Sequence, residues 1–230
     1  MATPAFTRAQ QQTQSIRQVY LHSTVMVATA QWSFFALLAV FAHETVWVLF
    51  GPNWLECVPV LQILAVGAMV WAPVTLGSSA LTSRQAVRCQ LQIQLVYAPL
   101  AVLGLLLGAL HSLEAMAVLF SLARLVRALH TSHAVHQVFG IGLKEVLQRL
   151  LPTAAVAAAG GIVGAMVKAL LVADGQPTWV VLPGGAVAAL LAAAAVAWRL
   201  NHPLVVEVKR LARRRIELAD GANKVSVFNG

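Results

Sequence analysis

The residues best suited to chemistry in this sequence are two arginines inside an apolar segment. Arg124 and Arg127 are three positions apart, close to one helical turn, so both side chains would lie on the same face of a helix. A guanidinium group presents a planar fork of N–H donors that can bind a phosphate through two parallel hydrogen bonds. Facing a water-filled cavity, the pair would hold a diphosphate. The alternative is that both side chains extend along the helix to the lipid headgroups.

Amide side chains occur in other apolar segments. Gln92 and Gln94 lie at the start of one, with Tyr97 close behind, and Gln31 and Gln62 lie in the first two. Facing a lumen, such amides would hydrogen-bond to sugar hydroxyls; facing other helices, they would join helices by interhelical hydrogen bonds. We take Gln92 and Gln94, with the two arginines, as the candidate substrate-binding residues.

No motif indicates an enzyme, a cofactor or a metal site. His130, His133 and His136 have helical spacing, but no acidic or thiol partner lies near them, which favours histidines at headgroup level over zinc ligands. Phosphate-binding G-x-x-x-x-G-K-[ST] and nucleophile-elbow G-x-S-x-G sequences are absent. The predicted spans also lack a carboxylate pair for acid–base catalysis.

The composition indicates that these residues lie in a membrane. The 230 residues are 59% hydrophobic and 10% charged, with a mean hydropathy of +0.77, whereas soluble domains carry about a quarter charged residues. A helix needs about 20 apolar residues to cross a bilayer. The sequence therefore predicts an all-α integral membrane protein of about six transmembrane helices, at residues 23–42, 58–80, 92–111, 114–133, 152–173 and 178–198.

The cations are distributed as in a multi-pass protein with both termini in the cytoplasm. Lys and Arg occur in alternate connections, with Lys168 as the exception, which we expect to extend to the outer headgroups. This explains the formal charge of +8 without a nucleic-acid partner. The predicted organisation is a cytoplasmic polar strip (1–22), a six-span membrane domain (23–200) and a basic cytoplasmic tail (201–230). The tail either lies on the anionic leaflet or is solvated.

Two pairs of glycines have the spacing of close helix contacts. Gly104 and Gly108 form one G-x-x-x-G motif, and Gly160 and Gly164 form the other. Small residues four apart allow two backbones to approach in a membrane. Chance occurrence in Gly- and Ala-rich spans is the alternative.

Two segments resemble a known family. Residues 4–8 (PAFTR) resemble the P-x-[FL]-S-R sequence before a span of polysaccharide transporters. Residues 48–64 (VLFGPNWLECVPVLQIL) resemble their LFGxxWxxAxPxLQIL sequence, with Cys57 where Ala or Ser is usual. The family is that of the oligosaccharide flippases, the O-antigen and exopolysaccharide branch of the MOP superfamily. The matching motif residues are Pro4, Arg8, Gly51, Trp54, Pro59 and Gln62.

The resemblance implies the C-terminal half of such a flippase, with part of a transporter lobe and two terminal spans. It implies transport of undecaprenyl-diphosphate-linked oligosaccharide across the bacterial inner membrane for lipopolysaccharide or exopolysaccharide synthesis. The partners would be this lipid, membrane lipids and an N-terminal half, encoded in the same parent chain or as a separate subunit.

Two alternatives remain open. The chain would be a non-transporting or split-gene membrane subunit or scaffold, or a fragment of a MOP-type drug/cation antiporter. The antiporter would need an acidic residue inside a span to bind the coupling cation, whereas all eight acidic residues lie in connections, at span ends or in the tail.

The predicted topology is tested by the two cysteines. Cys57 lies in a connection on the predicted outer side of the membrane. Cys89 lies near the opposite, cytoplasmic face. A membrane-impermeant thiol reagent added to intact cells should modify Cys57 and leave Cys89 unmodified, as measured by mass shift. The reverse pattern would invert the orientation.

Overall fold

The computed structural model describes residues 3–83, 87–200 and 203, and the side chains of residues 17–82, 88–200 and 203. Every regular element in this part of the chain is helical, which agrees with the predicted all-α class. The α-helices are α1 (Thr3–Val40), α2 (Ala42–Phe50), α3 (Val58–Trp71), α4 (Gly77–Ser83), α5 (Val87–Ala109), α6 (Leu113–Phe139), α7 (Leu143–Ala173) and α8 (Thr178–Arg199). Short 3-10 segments span Pro52–Cys57 and Ala72–Val74.

Some sequence predictions fall outside this description. They concern the basic tail, apart from Pro203, and the side chains of Pro4 and Arg8 in the first family motif.

Five helical stretches of the described chain are long and apolar enough to cross a membrane: Arg17–Val40, Pro52–Thr82, Arg88–Ala109, Leu143–Ala173 and Thr178–Arg199. The protein is thus an all-α protein with the character of a multi-pass membrane protein. Helix α6, which contains the fourth predicted span, is not among the five, because Arg124, Arg127 and its histidines lower its hydropathy. The count of six spans stays a prediction.

The helix boundaries differ from the predicted spans where polar residues continue a helix. Helix α1 runs through the predicted polar strip, and α7 begins nine residues before the predicted span. The second predicted span is broken after Trp71, because Pro73 has no N–H with which to continue the α-helical hydrogen bonds. The carbonyl oxygen of Met69, which would accept that N–H, accepts the indole N–H of Trp32 in α1 at 2.7 Å.

The long helices pack side by side in the order α8, α7, α1, α3, α6, α5. Helices α1 and α7 are parallel and are joined by polar contacts at three levels. The contacts are Arg17–Glu145 at 2.6 Å, Thr29–Thr153 at 3.2 Å and Glu44–Lys168 at 2.9 Å, the last just beyond the end of α1. These contacts fix the register of the two helices.

Both predicted glycine contacts are present. A Cβ built on Gly104 would lie 3.3 Å from the carbonyl oxygen of Leu119, and one on Gly108 would collide with the backbone of Met116. Gly160 lies equally close to Ala189 in α8, with a Cβ-to-oxygen distance of 3.1 Å. The G-x-x-x-G motifs thus bring α5 against α6 and α7 against α8.

A glycine-to-alanine substitution tests the α5–α6 contact. Gly108→Ala should reduce the free energy of unfolding by about 1–3 kcal/mol, because the methyl group forces two backbones apart. Gly161→Ala is the matched control, because its Cβ would meet only the Ala36 methyl at 3.9 Å. Thermal unfolding in detergent micelles measures both, and equal melting temperatures for the two variants would contradict the contact.

Candidate functional site

The guanidinium group of Arg127 lies over the faces of two aromatic rings. Its Cζ atom lies 4.6 Å from the ring centroid of Trp71 and 4.7 Å from that of Tyr97. The three residues come from three different helices: α6 supplies the arginine, α3 ends at the tryptophan and α5 supplies the tyrosine. Aromatic faces attract cations, and the attraction grows when water is excluded.

The stacked guanidinium lies near mid-depth of the α5–α6 hairpin. Tyr97, which it contacts, is about 14 Å along α5 from Arg88 and about 18 Å from Ala109, at about 1.5 Å per residue. These two residues bound one of the five candidate spans. Arg127 therefore packs sideways against its neighbours on α3 and α5, and contact with the headgroups, the alternative that the sequence left open, stays a prediction.

Within the part of the chain that the structure describes, Arg127 has no acidic partner. The ion pairs there join Arg17 to Glu145 and Lys168 to Glu44, with His43 close to the same Glu44 carboxylate. The Nε atom of Arg127 is buried and has no hydrogen-bond partner among the described residues. A buried donor without an acceptor is costly. The rings of Trp71 and Tyr97 offer no hydrogen-bond acceptor in the guanidinium plane, so this Nε–H group is left for an acceptor.

Arg124 lies one turn before Arg127 on the same side of α6 and is half-buried. It is close enough to Arg127 and Tyr97 for electrostatic interaction. Two guanidinium groups this close repel each other, and an anion between them would offset the repulsion. The structure thus brings together the two predicted arginines.

The two predicted glutamines do not share a face. Gln92 and Gln94 are both exposed, and two positions on an α-helix point about 160° apart. Gln94 lies one turn from Tyr97 on the side of α5 that faces Arg127, whereas Gln92 lies on the other side. A common binding site for the four predicted residues is therefore not formed, and a role for either glutamine stays a prediction.

Other amides serve contacts between helices. The Gln62 amide donates to the Ala39 carbonyl oxygen at 3.1 Å, and Gln31 accepts a hydrogen bond from Thr75 at 3.3 Å. These contacts join α1 to the segment containing α3, as the helix-joining alternative predicts for amides in spans.

The second family motif builds the turn between α2 and α3. Gly51 has a φ of +84°, a left-handed conformation that favours glycine, and its N–H donates to the Trp47 carbonyl oxygen at 3.0 Å. Pro59 lies in the first turn of α3, where its missing N–H costs no helical hydrogen bond. Trp54 is exposed and contacts Phe50. The motif residues described here thus have structural contacts that account for their types.

The expectation for Lys168 is wrong. Its ammonium group does not extend to the outer headgroups but donates to the Val40 carbonyl oxygen and to the Glu44 carboxylate, both at 2.9 Å. The Glu44 side chain is only 6% exposed. An acidic residue thus lies buried between helices, which the sequence did not indicate.

The histidines and the grooves add no second site. His130 contacts the Val126 carbonyl oxygen, His133 contacts Gln137, and no group of three potential ligands forms a metal site among the described residues. Grooves of about 410 Å³ between α3 and α6 and about 620 Å³ among α1, α3 and α7 have almost entirely apolar walls. Neither groove is lined by Arg124 or Arg127.

Comparison with known proteins gives one match. The model of a family described as "polysaccharide biosynthesis protein" matches residues 1–59, about a quarter of the chain. No curated protein matches, and no solved structure matches. The matched region contains α1, α2 and most of the second motif. The match supports a polysaccharide-related role for a membrane protein of the transporter type.

The aromatic stack makes a testable contribution to stability. Tyr97→Leu should lower the free energy of unfolding by about 2 kcal/mol, because it removes one of the two faces that stabilise a desolvated cation. Tyr97→Phe retains the ring and should retain most of the stability. Thermal unfolding of the purified protein distinguishes them, and equal losses for both substitutions would show that the ring face is not the stabilising contact.

Proposed function

We propose that the chain is part of a transporter that flips undecaprenyl-diphosphate-linked oligosaccharide across the bacterial inner membrane for polysaccharide export. In this proposal, Arg127 and Arg124 bind the diphosphate. The observation that carries it is the packing of Arg127 between α3 and α5, close to two aromatic rings and with no acidic partner among the described residues. The family match and the five apolar stretches support the general role.

The geometry of the stack favours an anionic ligand. A charge within a membrane is costly and is normally paired. Trp71 and Tyr97 stabilise the cation but leave it without a neutralising charge. A guanidinium group can form two parallel hydrogen bonds with a phosphate, and the unpartnered Nε–H group of Arg127 is available for one of them. The second guanidinium, one turn away, matches the second phosphate of a diphosphate.

The arrangement of the helices supports the need for a partner. The six long helices form a row in which α5 and α8 are the end members, and α6 has few contacts with α7. A row provides one wall of a transport cavity. We infer that an N-terminal half, in the same parent chain or as a separate subunit, provides the other wall, in a multi-pass protein with both termini in the cytoplasm.

One observation favours the antiporter alternative and another disfavours it. Glu44 is an acidic residue buried between helices, as a cation-binding site requires. Its carboxylate, however, is already paired with Lys168 and is not free for a metal cation in this conformation. A scaffold without transport activity would have no use for the two arginines, so that substituting them would leave export unchanged.

Substitution of both arginines tests the proposed function. Arg124→Ala combined with Arg127→Ala in the intact transporter should reduce polymer export at least about tenfold, since each charge-assisted hydrogen bond to a phosphate is worth about 1.5–3 kcal/mol. The amount of protein in the membrane should stay unchanged. Export is measured as surface polysaccharide, and membrane content by immunoblot.

The control is Arg149→Ala, which removes an exposed cation near the start of α7 and should leave export at the wild-type level. Normal export by the double variant would exclude the two arginines as the diphosphate site.

A further inference from the structure

The α-helix is interrupted at Phe41, between α1 and α2, and the α7–α8 hairpin packs against this interruption. We call residues 40–44 the elbow. Phe41, at 2% exposure, inserts its ring between α7 and α8, where a Cβ on Gly164 would lie 3.2 Å from it and one on Gly185 would collide with it. A side chain at Gly185 would displace the ring, and one at Gly164 would leave it a tight contact. The outer ends of α7 and α8 are therefore held against the elbow by shape.

The same elbow holds Lys168 through charge. Its ammonium group contacts the Glu44 carboxylate and the Val40 carbonyl oxygen, both at 2.9 Å, and lies 5.9 Å from the centre of the Phe41 ring. All these partners belong to the elbow, whereas Lys168 belongs to α7. Every polar contact of the ammonium group thus bridges the bend after α1 and the hairpin.

The ionisable groups at this junction are few. His43 and Glu44 lie on α2, and Lys168 lies on α7. Helix α8 carries none between residues 178 and 198, and α1 carries none between residues 23 and 40. Asp174 lies beyond the end of α7 and is exposed. Glu56 and Cys57 lie in the 3-10 segment that packs against α2, and Glu56 is exposed. Among the described groups at the junction, the ion pairs join Glu44 to Lys168 and bring His43 close to Glu44.

Glu44 has a short connection to water. His43 Nδ1 lies 3.8 Å from the other oxygen of the Glu44 carboxylate, and the histidine side chain is half exposed. An imidazole can accept a proton from water on one nitrogen and pass one on from the other. A buried ion pair contributes little more to stability than an apolar contact of the same volume. The Glu44–Lys168 pair, with the His43 imidazole beside it, is therefore suited to a change in the protonation state of Glu44.

We propose that Glu44 is a proton-binding site whose occupancy releases the α7–α8 hairpin from the elbow. A proton moves from external water through His43 to the Glu44 carboxylate and leaves a neutral carboxyl group. The Lys168 ammonium then loses its counter-ion and keeps only uncharged partners, among them the Val40 carbonyl oxygen and the Phe41 ring. Protonation and docking of the hairpin thus exclude each other, and each weakens the other by the same factor.

The site supplies what the proposed function lacks, a group through which a proton gradient can act on the helices. The proposal goes beyond substrate binding, and its test contains no substrate. A negative result at Glu44 would therefore not bear on the role of the two arginines. A negative result for the arginine site would likewise not bear on the proton-binding role of Glu44.

Hydrogen–deuterium exchange of the purified full chain in nanodiscs tests whether protonation of Glu44 releases the α7–α8 hairpin from the elbow. At neutral pH, Glu44→Gln should speed exchange of the backbone amides of residues 164–185 by about tenfold or more. The glutamine side chain is uncharged and cannot form an ion pair with Lys168. In the wild type, exchange corrected for its intrinsic rate should rise towards that of the variant as the pH is lowered from neutral into the acidic range. The variant itself should show no such rise.

The matched control is Glu145→Gln, which breaks the Arg17–Glu145 pair at the opposite end of the same two helices. It should speed exchange near residues 143–150 and leave residues 164–185 at the wild-type rate. Wild-type exchange at residues 164–185 that does not change with pH would overturn the proposal. So would a pH response of undiminished size in Glu44→Gln. The wild-type titration decides the matter even where Glu44→Gln does not fold.

Discussion

The structure depends on how charges are accommodated within an apolar layer of helices. Three of the described cations that lie among the packed helices are stabilised in two different ways. Arg17 and Lys168 have carboxylate partners, whereas Arg127 has two aromatic faces and no carboxylate. Since an unpaired charge is costly in a membrane, the aromatic stack identifies the position where an external anion would stabilise the protein most. The proposed site follows from this difference between the three cations.

The backbone contacts make these arrangements possible. Gly108 allows α5 to touch α6, and this close approach brings the Tyr97 ring to Arg127. On the other side of the row, Gly164 and Gly185 admit the Phe41 ring and so place Lys168 beside Glu44. Small residues thus determine the distances, and the polar groups determine which arrangement of the helices is favoured. At both ends of the row, glycines allow the close packing that brings a cation to its partners.

The sequence predicted those features that depend on neighbours along one helix. Helical class, the two G-x-x-x-G contacts and the common side of Arg124 and Arg127 follow from periodicity alone. Periodicity would also have separated Gln92 from Gln94, which lie two positions apart and so point in different directions.

Features that depend on distant segments could not be predicted in this way. Trp71 reaches Arg127 from α3, at the point where Pro73 ends the regular helix, and nothing near Arg127 in the sequence indicates it. Lys168 was misassigned because its position along α7 suggested an outer headgroup contact. Its partner Glu44 lies 124 positions earlier in the chain, and the bend that turns Glu44 inwards is set by packing of Phe41.

The most direct test of the central claim is a binding measurement with two lipids that differ only in charge. Native mass spectrometry of the protein in nanodiscs would compare undecaprenyl diphosphate with undecaprenol for the wild type and for Arg127→Gln. The account predicts that the wild type retains the diphosphate lipid preferentially and that Arg127→Gln loses the preference while it still retains the alcohol. An equal preference for the diphosphate in both proteins would contradict the claim that the unpaired guanidinium is the anion site.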